Sequence, residues 1–97
     1  MKIKELAKCR ELFAQMSPSN AKDKVTIYKS LKRMNDELEP YARTEDEMRE
    51  NGNEEDLESI YNEKTNVDLC NVKESWLHDE ITYAEIAFLD DLGLLEL

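Results

Sequence analysis

Ile27, Leu31, Met34, Leu38 and Tyr41 follow one another at steps of four, three, four and three residues. That spacing lines one face of an α-helix, and a chain carrying such a stripe must cover it with something. Val25 and Tyr28 widen the stripe, and Met48 continues it seven residues beyond Tyr41. Pro40 falls inside the pattern, where it removes one backbone hydrogen bond and kinks or stops a helix near Glu39. Thr44 and Glu47 have the spacing of a capping box for a restart. Two outcomes stay open: one long helix kinked at Pro40, or two shorter helices.

A second apolar series precedes this one. Ile3, Leu6, Cys9, Phe13 and Met16 recur at three- and four-residue steps and predict a helix over 3–16. Ser17-Pro18-Ser19-Asn20 ends it, and Ser19 or Asn20 is placed to cap the next. Two amphipathic helices joined by so short a loop are expected to pack antiparallel as a hairpin. Beyond it, Asn51-Gly52-Asn53 signals a turn. A short acidic helix is expected over 54–63, with Leu57, Ile60 and Tyr61 inward. Val67 to Val72 has partial period-two alternation and predicts one short strand, with Trp76-Leu77-His78 as a candidate second strand beside it. Thr82 and Glu85 form a capping box for a last helix carrying Ile86, Leu89 and Leu92, and Gly93 suits its left-handed end. The expected fold is α+β and mostly α: an N-terminal antiparallel helical hairpin, a short acidic helix, one or two short strands and a C-terminal helix. Its 97 residues make one domain, with a hairpin over 1–50 and a small α+β section over 54–97.

Charge is divided along the chain. Residues 1–35 hold nine Lys or Arg and three Asp or Glu; residues 36–97 hold four and twenty. The balance is therefore +6 in the first stretch and −16 in the second, for a formal net charge of −10. Solubility alone does not require such segregation, and it speaks to partners more than to fold. The start, MKIKELAKCRELF, is charged throughout and has no apolar core of a signal peptide. Nothing approaches the ~20 apolar residues of a membrane span. A cytoplasmic setting is expected, with Cys9 and Cys70 reduced.

Catalytic and cofactor motifs are missing. His78 beside Asp79 has no nucleophile elbow to serve. Two distant Cys and one His lack zinc-site spacing, the acidic pairs lack EF-hand spacing, and Gly52 and Gly93 cannot make a phosphate loop. The reading is a non-enzyme with no cofactor and no metal site.

The acids concentrate in TEDEMRENGNEEDLE, where Glu45, Asp46, Glu47, Glu50, Glu54, Glu55, Asp56 and Glu58 face a single Arg49. Repulsion from phosphate disfavours direct binding of nucleic acid there. A protein partner with a basic cleft is favoured, and nucleic-acid enzymes commonly own such clefts. The basic residues Lys22, Lys24, Lys29, Lys32 and Arg33 are expected to pair with the acidic portion, within the chain or in a second copy.

In KIKELAKCRELF, YKSLKRMNDELEPYART, TNVDLCNV and EITYAEIAFLDDLGLL the chain resembles small acidic proteins encoded by bacteriophages and prophages. Those open with a Lys-rich helix, turn into a second, pass an acidic loop, and close with a Val-x-Leu strand and a Thr-capped helix. Pro40 departs from that pattern. The resemblance implies a phage origin and supplies no catalytic residue. Two functions are expected. One is an inhibitor presenting the acidic surface to a host nucleic-acid-handling or defence protein, such as a nuclease. The other is a phage assembly protein self-associating through Ile27, Leu31, Met34, Leu38, Tyr41 and Met48.

Overall fold

A computed structural model of the chain describes residues 1–52 and 56–96. Its elements are α1 (Ile3–Ala14), α2 (Ala21–Glu50), α3 (Leu57–Tyr61), β1 (Val72–Lys73), a 3₁₀ turn (Glu74–Trp76), α4 (Tyr83–Asp91) and β2 (Leu95–Glu96). The fold is mostly α with a two-stranded parallel sheet.

The open question at Pro40 is answered by one continuous helix of 30 residues. At about 1.5 Å per residue it is about 45 Å long, which matches the longest dimension of the molecule, 45 Å. Pro40 lies on the exposed side, so the ring meets solvent and the carbonyl left without its N–H partner can be hydrated. Thr44 does not restart a helix; its hydroxyl donates to the Pro40 carbonyl at 2.9 Å from within α2. Asn20 is the N-cap, its side chain accepting from the Asp23 amide at 2.8 Å.

At 12 residues, α1 spans only about 18 Å of α2. The two pack with residues in opposite chain order: Arg10 donates to Asn35, Ala7 lines a groove with Ala42, and Phe13 lines one with Ile27. Leu6, Cys9, Leu12 and Phe13 of α1 join Ile27 and Met34 of α2 in one buried cluster with Val72, Trp76, Leu89 and Leu94. The core therefore draws on both ends of the chain.

Residues 61–76 run antiparallel along the flank of α2 that α1 leaves open. A series of hydrogen bonds ties them to it. Trp76 Nε1 donates to Asp23 at 3.0 Å, the Cys70 amide to Ser30 Oγ at 3.1 Å, and Arg33 to the Asp68 carbonyl at 3.3 Å. Thr65 then donates to Glu37 at 2.5 Å, Tyr41 to Glu63 at 2.9 Å, and Tyr61 to Glu45. Positions 23, 30, 33, 37, 41 and 45 step by seven, three, four, four and four, one face of a helix beside the apolar stripe.

This strap corrects the expected strand over 67–72. Its burial does alternate, with Val67 and Leu69 half-buried and Asn66 and Asp68 exposed. The alternation reflects an extended segment lying beside a helix, where side chains of α2 supply hydrogen bonds that a strand partner would otherwise supply. Only Val72–Lys73 form a strand, and their partner is Leu95–Glu96 in parallel register. Parallel pairing needs a crossover, and α4 provides it. Trp76-Leu77-His78 is no strand: Trp76 closes the 3₁₀ turn with its ring buried, and its carbonyl accepts from the Ser17 amide at 3.0 Å. The acidic helix ends earlier than expected, at Tyr61, and beyond it the Glu63 carbonyl accepts from the Ile3 amide at 2.9 Å. The expected helix start at Glu54 and Glu55 lies outside the described residues.

The last helix forms as its sequence predicts. Thr82 and Glu85 cap each other reciprocally. At the far end Gly93 has φ +73°, its amide meets the Asp90 carbonyl at 2.9 Å, and the Leu94 amide meets Leu89 at 3.0 Å. This double closure folds Leu94 back into the core.

Two measurements check this arrangement. Met34→Ala, at a fully buried site, is expected to cost about 2–5 kcal/mol in urea unfolding, against about 0.5 kcal/mol or less for exposed Lys29→Ala. The Asp23 carboxyl is held below its ordinary 3.8, first by the Trp76 N–H and then by Asn20 and Lys73. The folded state favours its charged form, so this stabilisation is complete above pH 3.8 and is lost as pH falls through the lower folded-state value. Asp23→Asn should therefore be less stable than wild type at neutral pH, with the gap closing below pH 3.8. Trp76 fluorescence reads both curves; parallel curves would contradict the assignment.

Candidate partner-binding surface

The predicted acidic surface gathers at the C-terminal end of α2 and the start of α3. Asp46, Glu47, Glu50, Asp56 and Glu58 are exposed; Glu54 and Glu55 lie outside the described residues. Glu45 is different. It is half-buried and accepts from Tyr61 and, at 2.6 Å, from Arg49. These contacts, the Tyr61 hydroxyl first, hold its carboxyl below the usual range. Burial and then the Glu45 carboxylate push Tyr61 up to about 12. Glu45 thus anchors the strap and is not a free surface charge. Glu63, also exposed, accepts from Tyr41, and that bond raises the Tyr41 hydroxyl.

Farther up α2, Asp36 and Glu39 are exposed, Asp36 bordering the strap and Glu39 bordering α1. With Asp46, Glu47 and Glu50 they extend the acidic surface along about 21 Å of helix. Arg43 interrupts it and pairs with Glu39.

The basic residues expected to pair with the acidic portion form no ion pair with it among the described residues. Among the described residues the ion pairs are Arg43–Glu39, Arg49–Glu45 and Lys73–Asp23. Lys22, Lys24, Lys29, Lys32 and Arg33 stay exposed around the first half of α2, and Arg33 uses a backbone carbonyl. The helix therefore presents positive charge at one end and negative charge at the other.

The predicted self-association face is occupied within the chain. Ile27 and Met34 are in the core, Leu31 and Leu38 pack against it, and Tyr41 and Met48 are half-buried. What remains open is a different face. Tyr28 is 64% exposed and Val25 51%. Two shallow grooves follow the seam of α1 and α2. One, of about 160 Å³, is lined by Phe13, Met16, Tyr28 and Leu31. The other, of about 390 Å³, is lined by Ala7, Arg10, Asn35, Leu38 and Ala42.

Reactive groups are dispersed. Cys9 is fully buried and its thiol is pushed up to about 12, chiefly by that burial; Cys70 is half-buried, and neither forms a disulfide. His78 is half-buried with its Nε2 enclosed and lacking a hydrogen-bond partner. Among the described residues no three His, Cys, Asp or Glu gather as metal ligands, and no helix is long and apolar enough to cross a membrane. Set against known protein families, curated proteins and solved structures, the chain has no match.

The polar residues that tie the strap escape a reading based on apolar spacing. Their signal was available: Asp23, Ser30, Glu37, Tyr41 and Glu45 form a second helical stripe beside the apolar one.

Tyr61→Phe removes one link while leaving the ring. We expect a loss of about 1 kcal/mol at pH 7, the worth of a hydrogen bond to a carboxylate in a half-exposed site. A tyrosine that keeps its proton up to about 12 when folded contributes fully below pH 10 and loses that contribution as pH rises through 12. The difference between the two proteins should therefore vanish across that window, as followed by circular dichroism in urea. A constant difference would place the effect elsewhere.

Proposed function

We propose that this protein is a non-catalytic, phage-encoded inhibitor acting in the bacterial cytoplasm. It presents the acidic end of α2 and α3 to the basic cleft of a host nucleic-acid-handling or defence protein. The supporting observation is the row of exposed carboxylates at Asp36, Glu39, Asp46, Glu47 and Glu50 on one long helix. Along about 21 Å of axis they make a line of like charge as long as a run of several phosphates, which lie ~3.4 Å apart along one DNA strand. A cleft that attracts phosphates attracts this row by the same long-range field. The charges in it are largely unspent: of the five, only Glu39 has an ion-pair partner among the described residues. The phage origin rests on the sequence resemblance.

The test uses capture of basic-cleft proteins from a bacterial lysate at low and high salt, with duplex DNA as competitor. Capture should fall steeply with salt and yield to DNA. It should weaken at least about tenfold, or about 1.4 kcal/mol, when Asp46→Asn, Glu47→Gln, Glu50→Gln and Glu58→Gln are combined. Capture that survives both the four substitutions and the competitor would overturn the reading.

A further inference from the structure

We propose that the open α1–α2 face is a docking site for a second copy of this chain, which pairs antiparallel along α2 about an axis at Asn35. The positions around Asn35 carry the argument. Tyr28 and Ala42 lie seven residues to either side of it, and Lys24 and Asp46 eleven. Seven and eleven residues are close to two and three turns at about 3.6 residues per turn, so all five share one face. All five are exposed. A second copy reversed about Asn35 sets each Tyr28 against the other copy's Ala42, a large ring over a small side chain. It also sets each Lys24 against the other copy's Asp46. A two-fold contact makes every such match twice.

The grooves follow the same line. The Tyr28 side chain borders the groove beside Phe13 and Leu31, and Asn35 and Ala42 border the one beside Ala7 and Leu38. An antiparallel helix laid along this seam fills both, as a helix from a second hairpin does in a four-helix bundle. Charge fixes the direction. A parallel copy would put Lys24 on Lys24 and Asp46 on Asp46, which repel, whereas the antiparallel copy pairs opposite signs on a chain whose net charge is −10. Asn35 at the axis, whose side chain accepts from Arg10 of its own chain, is a polar residue of the kind that fixes register in paired helices. The proposal goes beyond the acidic-end reading and does not rest on it. The contact takes up Asp46 and covers the groove bordered by Glu39, whereas Glu47, twelve residues from Asn35, lies about a third of a turn around the helix from the contact and stays outside.

Sedimentation of the full chain at tens of micromolar should give the mass of a dimer. Tyr28→Glu should weaken the dimer at least about tenfold while leaving the helical circular dichroism intact. Register is read by cross-linking in a Cys70→Ser background under mild oxidation. Asn35→Cys should link two chains through the axis. Lys29→Cys, about a third of a turn away, should not. A monomeric mass at that concentration would overturn the proposal and leave the inhibitor reading untouched. Linking of Lys29→Cys as readily as Asn35→Cys would also overturn it, since another face would then be in contact.

Discussion

The structure depends on how one long helix is covered. α2 runs 30 residues and carries an apolar stripe over most of them, while α1 has only 12 residues to lay against it. The remaining flank is covered by residues 61–76, which have little secondary structure of their own. An extended segment beside a helix must still satisfy its backbone polar groups. Here its ends are tied to other strands of chain and its middle to side chains of α2. The Ile3 amide meets Glu63, and the Thr65 amide meets the Met1 carbonyl at 2.8 Å; farther along, the Val72 amide meets Leu94 at 2.7 Å. Between these, Ser30, Arg33 and Glu37 hold the strap. At its end the Trp76 ring enters the core with its N–H on Asp23, and Lys73 approaches the same carboxylate at 3.5 Å.

Helices that bury a periodic face and begin with a clear cap could be read from the sequence. The Thr82–Glu85 box, the Gly93 closure and the Leu6–Phe13 face all form where the pattern puts them. The strand at 67–72 could not, because alternation reports which side chains are covered and says nothing about whether the covering element is a strand or a helix. The parallel pairing of β1 with β2 joins segments some twenty residues apart, each two residues long, too short to leave a pattern. Pro40 leaves the choice between one helix and two open for a related reason. Local propensity marks a break, but a proline facing water loses one hydrogen bond while the rest of the helix stays held by packing on both sides.

The acidic end was legible as composition, but which acids are available for a partner was not. Glu45 and Glu63 accept hydrogen bonds from tyrosines of the strap–helix contact, while Asp46, Glu47 and Glu50 face solvent. The same helix that organises the core thus sorts its charges by direction: those beside the apolar stripe bind the strap, and those opposite it remain for other molecules. Lysines at the other end of α2 are sorted the same way, which gives the exposed side of one helix two ends of opposite sign.

Amide hydrogen exchange, followed residue by residue, tests this account most directly. If the strap is held on α2 as described, the Cys70 amide, which meets only the Ser30 hydroxyl, should exchange far more slowly than a free peptide. The α2 amides should be protected on both sides of Pro40. Exchange of Cys70 at the free-peptide rate, or protection in α2 that ends before Pro40, would contradict the claim that one unbroken helix organises the fold.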